Sequence, residues 1–511
     1  MVKNILMHLG IMYTSKLIHG RNFSKVHKWK VQKSDIPYNY RRKKTMKKFV
    51  AGLLTFCMMT GLVTACSGKD ADETTADGKT VINLWSFTDE VPNMVDKYLE
   101  LHPDFAEKYE IKTTIIPTTD GAYQPALDTA LQNGGAEAPD MYCAEAAFVL
   151  KYTQGDMADY AAPYEDLGID VAADVAAAKI AGYTVDIGTR TSDNKLVALG
   201  YQATGGAFIY RRSLAEQAFG TDDPDTIADI IGAGTQTWDK FFDAAATLAD
   251  NGIAIVSGDG DIWHAVENSS QKGWIVDDTL TIDAKREAFL DISMDLTANG
   301  WSNQTQDWQD AWFADMKGVG EKPCFGFFGP AWLINYTLGA NCGGTEAPAD
   351  GDFTQGNTFG DWAVCPPPVG FFWGGTWLLA NSDASDAKKE AIGEIMRWIT
   401  LDCTEDGLQY MWANGLMNDA GTKDAVASAT VMEMSDGCID FLAGQNMFDV
   451  FVPANDYANG KNLTQYDESI NSIWRDQVRQ YTAGEKTRDE ALEGFRSGVA
   501  DSLGINVLFL T

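Results

Sequence analysis

Histidine is scarce in this chain of 511 residues: there are five, and His8, His19 and His27 all fall within the first 45 positions. Only His102 and His264 remain. That excludes histidine-rich metal sites and makes any His-based triad depend on one of these two residues. His102 sits in LELHPDF, where Pro103 ends a helix, and reads as a solvated helix terminus. The eight cysteines include no CxxC pair, which argues against zinc ribbons. Positive charge is short as well, with 40 Lys and Arg against 72 Asp and Glu. Residues 1–65 hold 13 of the basic residues and one acidic residue, so the rest carries 27 basic and 71 acidic, a formal charge of −44. Nucleic acid and anionic lipid head groups are poor partners for such a surface.

What is present begins with a basic cluster, RRKKTMKK at 41–48, followed by the apolar run FVAGLLTFCMMTGLV at 49–63. This order is that of a secretory signal peptide, and the run is shorter than the roughly 20 apolar residues that cross a bilayer. The residues Val63-Thr64-Ala65-Cys66 resemble the bacterial lipobox, in which the cysteine thiol takes a diacylglycerol and the chain is cut just before it. The tail SGKDADETTADGKT carries no apolar residue larger than alanine and reads as a flexible tether over 66–79. Met46 opens a normal-looking signal over 46–65, so translation is expected to start there, with residues 1–45 an upstream artefact. From Cys66 onward 446 residues remain, enough for two or three domains of roughly 100–200 residues.

VINLWSF (81–87) and EIKTTIIP (110–117) read as strands. Between them Val91, Met94, Val95, Tyr98 and Leu99 form one apolar helix face. Strand, helix and strand in that order predict a parallel α/β sheet. The same grammar recurs in TWLLANS (376–382), which is followed by the stripe Ile392, Ile395, Met396 and Ile399. TWDKFFDAAATLADNG (237–252) is a helix with Thr237 as N-cap and Gly252 past its end. Thr487 and Glu490 form a capping box for a last helix. Export permits disulfides among Cys143, Cys324, Cys342, Cys365, Cys403 and Cys438, with Cys324, Cys342 and Cys365 the nearest candidates and the connectivity open. The acidic turns DGD (259–261) and Asp350/Asp352 lack the spacing of a calcium loop, and no metal or cofactor is expected.

Several segments, in order, resemble the carbohydrate-binding extracellular solute-binding proteins of bacterial ABC importers, the branch that includes maltose-binding protein. They are the lipobox, INLWSF, the helix ending HPDF, APDMYCAEAAFVLKY (138–152) and GYQATGGAFIYRRSLAEQAFG (200–220), then TWDKFFDAAATLA, AWFADMKGVGEKPCFGFFGPAWL (311–333) and WGGTWLLANSDASDAKKEAIGEIMRWIT (373–400). The resemblance implies an α/β, two-lobe periplasmic-binding-protein-like fold of type II with the ligand cleft between the lobes. By matching segments, lobe 1 is expected at 80–202 with 371–425 and lobe 2 at 203–370 with 426–505. The chain is expected to cross between lobes near Tyr201–Gly206 and near Val369–Phe371.

A sugar offers C–H faces that stack on aromatic rings and hydroxyls that need planar polar partners. Trp85 ends the first strand, in a position the family often uses at the cleft. Trp332 in FFGPAWL matches the Gly-x-x-Trp element that supplies a stacking platform in relatives. Trp263 in SGDGDIWHA follows a Gly/Asp turn and is expected near the rim, and Trp373 abuts Gly374 and Gly375, where a backbone can approach a ligand. Trp238, Trp398 and Trp474 lie on amphipathic helices and read as core, while Trp308 and Trp312, four apart, read as packing on one helix face. Trp412 falls where relatives place a loop near the cleft. For polar contacts Asp120 and Glu145 follow strands whose carboxyl ends should face the cleft, with Asp89 and Gln202 as lesser candidates.

The reading that results is a monomeric, non-enzymatic protein that captures a carbohydrate of two or more units and delivers it to an ABC permease. It faces outward from the cell membrane on a lipid at Cys66. A glycoside hydrolase is the rival, but it needs a pair of carboxylates that nothing in the sequence picks out. A sugar-sensing accessory lipoprotein would bind in the same way and signal instead.

Overall fold

A computed structural model describes residues 72–118 and 121–507. The signal segment, the lipobox with Cys66, and Asp120 lie outside the described residues. The strands are β1 (Thr80–Ser86), β2 (Tyr109–Ile115), β3 (Met141–Glu145), the ribbon β4 (Thr189–Arg190) with β5 (Lys195–Leu196), and β6 (Leu199–Gly200). They continue with β7 (Ala207–Arg211), β8 (Ala254–Val256), the ribbon β9 (Ile275–Val276) with β10 (Thr279–Leu280), β11 (Cys324–Gly329), β12 (Trp362–Cys365) and β13 (Thr376–Ala380).

The first sheet runs β2-β1-β3-β13-β6. β1 is parallel to both β2 and β3, as strand-helix-strand order requires, and β13 runs antiparallel to β3 and β6. Side chains alternate between two cores. Leu84, Cys143 and Leu378 pack on one face with Met94, Ile395 and Ile399, while Tyr142, Ala144 and Trp377 pack on the other with Tyr123 and Leu127. The second sheet runs β12-β7-β11-β8, with β11 antiparallel to β7 and parallel to β8. Phe208, Phe325 and Phe328 fill one face, and Ile209, Phe327, Trp362 and Val364 the other.

Three segments cross between the sheets. The chain leaves β6 and enters β7, returns between β12 and β13, and crosses again near Val426. Backbone bonds lace these segments together: Trp373 N donates to the carbonyl of Thr204 at 3.0 Å, Gly206 N to Phe371 at 2.9 Å and Ala427 N to Tyr201 at 2.9 Å. Gly206 has to be glycine, because a Cβ there would lie 2.0 Å from the Phe371 ring.

The capping box at Thr487 is present, opening helix Arg488–Leu503, and Gly252 adopts φ +73° past its helix. Thr237 does not cap its helix, which spans Asp239–Asp250 without a side-chain cap. The disulfide expectation also fails, since all six described cysteines are free thiols. Cys324 and Cys365 point to opposite faces of the second sheet, and Cys342 donates its S–H to the carbonyl of Gly344 at 3.1 Å. No helix among the described residues is long and apolar enough to cross a membrane.

Candidate functional site

A cavity of about 440 Å³ opens where the two sheets meet the crossing segments, within the size range of small-molecule sites. From the first sheet it receives Glu145, the last residue of β3, with Ala146, Ala147 and Leu150 behind it. The crossing segment supplies Phe372, Trp373 and Gly374. Gly374 holds φ +72°, and its carbonyl accepts from Thr204 Oγ1 at 3.0 Å, which turns the Trp373 ring into the cavity. The opposite wall comes from helix Gly260–Asn268, the Asp307–Trp308 segment and helix Asp467–Thr482.

The aromatic groups form a corner. Trp373 stacks on His264 with centroids 4.6 Å apart and planes at 24°, and Trp332 meets Trp373 edge-on at 4.9 Å. Trp332 Nε1 donates to the Trp373 backbone carbonyl at 2.9 Å, which holds the Trp332 ring against the crossing segment. Trp308 lies parallel to Trp332 at 6.2 Å and 9° and is 53% exposed. It holds this place with φ +64°, a conformation a bulky residue adopts only when its surroundings enforce it.

The charged groups are mostly paired. Arg475 Nη2 donates to Asp307 Oδ2 at 2.8 Å, and Arg479 pairs with Asp476. His264 Nδ1 lies 3.8 Å from Glu267, whose carboxyl also accepts from Asn471 Nδ2 at 2.6 Å. Although burial pushes Glu267 upward, His264, Arg286 and Asn471 hold it below the usual carboxylate range. Glu145 behaves differently. Burial raises it to about 7, and the like charge of Glu468 adds to that, although the Ala147 N–H donates to it at 2.7 Å. Glu468 is raised by burial and by Glu267. Asp467 reaches about 7 through burial, even though Thr464 donates to its Oδ1 from both N and Oγ1. Among the described residues no group of three or more His, Cys, Asp and Glu side chains could hold a metal ion. What the arrangement offers is flat apolar rings beside hydrogen-bonding groups on both walls, a binding surface.

The family model for bacterial extracellular solute-binding proteins matches residues 100–434. The chain belongs to that family. Similar solved structures share the fold of this solute-binding protein. One is described as an extracellular solute-binding protein of family 1; it is 18% identical, covers 82% of this chain and 99% of its own, and has a TM-score of 0.65. The galacto-N-biose/lacto-N-biose I-binding protein of an ABC transporter from Bifidobacterium longum, in complex with lacto-N-biose, is 15% identical, covering 84% and 99% with a TM-score of 0.59. The sugar-binding protein MalE of Xanthomonas citri is 15% identical, covering 83% and 97% with a TM-score of 0.58. A sequence comparison with curated proteins found no match.

In this solute-binding protein Glu145, Trp373 and Gly374 meet on the cavity, with Trp332 behind them. Trp263 also lines the cavity, but its ring is 1% exposed and packs on Trp274 and Phe289, so the helix presents His264 to the opening more than Trp263. Trp85 is half-buried beside the Tyr123 layer and does not line the cavity. Gln202 sits on a crossing segment, where its Nε2 donates to Asp424 Oδ2 at 3.4 Å, beside Trp412 and the Tyr201–Glu90 hydrogen bond of 2.6 Å. Asp89 is exposed near that second cluster. Trp308 and Trp312 do pack, with ring centroids 5.4 Å apart, but not on one helix face, because the helix spans Asp310–Met316 and leaves Trp308 outside it. Sequence reasoning does not place His264, Trp308, Asp467, Glu468 or Arg475 at the site. The polar row Asp467, Asn471, Arg475 and Arg479, at four-residue spacing alongside the apolar stripe Ile470, Trp474 and Val478, is the available signal.

Proposed function

We propose that this solute-binding protein captures a carbohydrate of two or more units in the cavity and delivers it unchanged to the permease of an ABC importer. The observation that carries this is the Trp308–Trp332–Trp373 corner set beside Glu145 and Arg475, flat faces for C–H surfaces next to groups that bond hydroxyls. Two similar proteins described above, one in complex with lacto-N-biose and the other called sugar-binding, support the ligand class. Closure of the lobes about the three crossing segments traps the sugar and excludes water. The proposed lobes are residues 80–202 with 371–425 and residues 203–370 with 426–505. Glu145, Trp332, Trp373 and Gly374 are the proposed contacts. Trp85, Gln202 and Asp120 remain proposed contacts as well, Asp120 lying outside the described residues. The chain is held outside the cell by a lipid on Cys66.

Isothermal titration with a panel of di- and trisaccharides tests the reading, with the sugar recovered and analysed afterwards. Saturable binding of an intact sugar is expected. Cleavage of the sugar would move the protein to the hydrolases. Replacing Cys66 with Ser should release the protein from membranes into the medium, and retention would refute the anchor.

A further inference from the structure

Every cation that lines the cavity already has a partner within the protein, and three carboxyls have none. Arg475 is bound to Asp307, Arg479 to Asp476, and His264 faces Glu267. Glu145, Asp467 and Glu468 line the same cavity without an ion pair among the described residues, although the buried Arg286 guanidinium faces Asp467 and Glu267, and His264 and Arg475 face Glu468. Glu145 comes from the end of β3, whereas Asp467 and Glu468 open helix Asp467–Thr482 on the opposite wall. The carboxyls are thus brought together from both sides of the space where a ligand sits. Asp467 is 6% exposed, and its Oδ2 has no hydrogen-bond partner, an arrangement that costs free energy unless something fills the gap. A neutral sugar hydroxyl satisfies one oxygen but leaves the gathered negative charge where it was. A protonated amine satisfies the oxygens and cancels charge together. The rings of Trp308 and Trp373 at the same cavity add faces that attract a cation. A chain with formal charge −32 also steers cations toward itself and anions away.

We infer that the ligand is a cationic amino sugar whose protonated amine sits among Glu145, Asp467 and Glu468. This rests on the carbohydrate reading above and narrows it. The strain that burial and like charge place on Glu145 and Asp467, each raised to about 7, is relieved when the amine binds. Near neutral pH these carboxyls then release protons to solvent as the ligand enters.

The test is isothermal titration of the purified chain near pH 6.5 with a glucosamine disaccharide, its N-acetylated counterpart and a neutral glucose disaccharide, in buffers of different ionisation heat. The amino disaccharide is expected to bind about tenfold or more tighter than either neutral sugar. Its binding alone should release protons, seen as a heat that changes with the buffer. Glu468→Gln and Glu145→Gln should each shrink the preference and the proton release, with circular dichroism checking the fold. Equal or tighter binding of a neutral disaccharide, without proton release, overturns the inference and leaves the carbohydrate reading standing. No binding of any saccharide overturns both, and a preference for spermidine over every sugar does the same.

Discussion

The cavity wall from the first sheet carries Glu145, Ala146, Ala147 and Leu150, one carboxyl among small apolar groups, while the facing wall carries His264, Glu267, Trp308 and the Arg475–Asp307 pair. On the second wall the Arg475–Asp307 and His264–Glu267 charges complement each other and the aromatic groups hold one another at fixed angles, while Asp467 and Glu468 have no ion pair among the described residues. The first wall's charge has no such complement. The paired and aromatic part of the second wall is therefore preorganised by the protein itself, and the unpaired carboxyls of both walls are what a ligand completes. Affinity gained from a preorganised wall needs little ordering on binding. An unpaired, half-buried carboxyl such as Glu145 instead makes the empty protein less stable and the occupied one more selective.

Removing what lies under the second wall should have the largest effect. Trp312, 1% exposed, donates its Nε1 to Asp261 Oδ1 at 3.0 Å and packs against Trp308 at 5.4 Å. Trp312→Ala should lower unfolding free energy by about 3–5 kcal/mol in denaturant titrations. Trp308→Ala, four residues earlier, should change stability by less than about 1 kcal/mol yet weaken sugar binding about tenfold. Equal effects at the two positions would erase the distinction between support and contact.

Next comes Arg475→Ala, which strands the largely buried Asp307 carboxylate and should lower stability by about 2–4 kcal/mol as well as weakening binding. Restoration of stability by Arg475→Ala with Asp307→Ala would show that the loss came from the unpaired charge.

The smallest effect belongs to the first wall. Glu145 is raised from its ordinary value to about 7, so its penalty is absent below the ordinary carboxylate range and grows as pH rises toward 7. Glu145→Gln should leave the melting temperature nearly unchanged at pH 4.5 and raise it slightly at pH 8, while weakening ligand binding. A melting temperature that falls at both pH values would place Glu145 with the paired charges of the second wall.

These contrasts also mark what the sequence made legible. The parallel β1–β2 pair, the stripe of helix Asp386–Thr400 and the capping box at Thr487 follow from periodicity and local chemistry, and each is present. Glu145 and Trp373 were visible because a strand end and a Gly-Gly pair are local features. The second wall was not. Helical spacing alone cannot tell which side of helix Asp467–Thr482 faces a cavity, since that depends on packing against a helix about 200 residues away. Trp308 escaped because four-residue spacing was read as one helix, whereas the helix begins only at Asp310 and Trp308 takes a left-handed conformation. The polar turn before Trp263 points to the cavity, which Trp263 lines, but its ring is nearly covered because the turn's own carboxyl, Asp261, is tied inward by Trp312 and by the N–H groups of Ser257 and Gly258.

The central claim is that a saccharide lies against the Trp308–Trp373 corner and leaves intact. Intrinsic tryptophan fluorescence of the purified chain, titrated with amino and neutral disaccharides, tests this most directly when the sugar is analysed afterwards. The account predicts a saturable change with an unmodified sugar, lost in Trp373→Ala at a concentration where circular dichroism shows the fold retained. A titration that stays flat for every saccharide, or a sugar recovered cleaved, would contradict it.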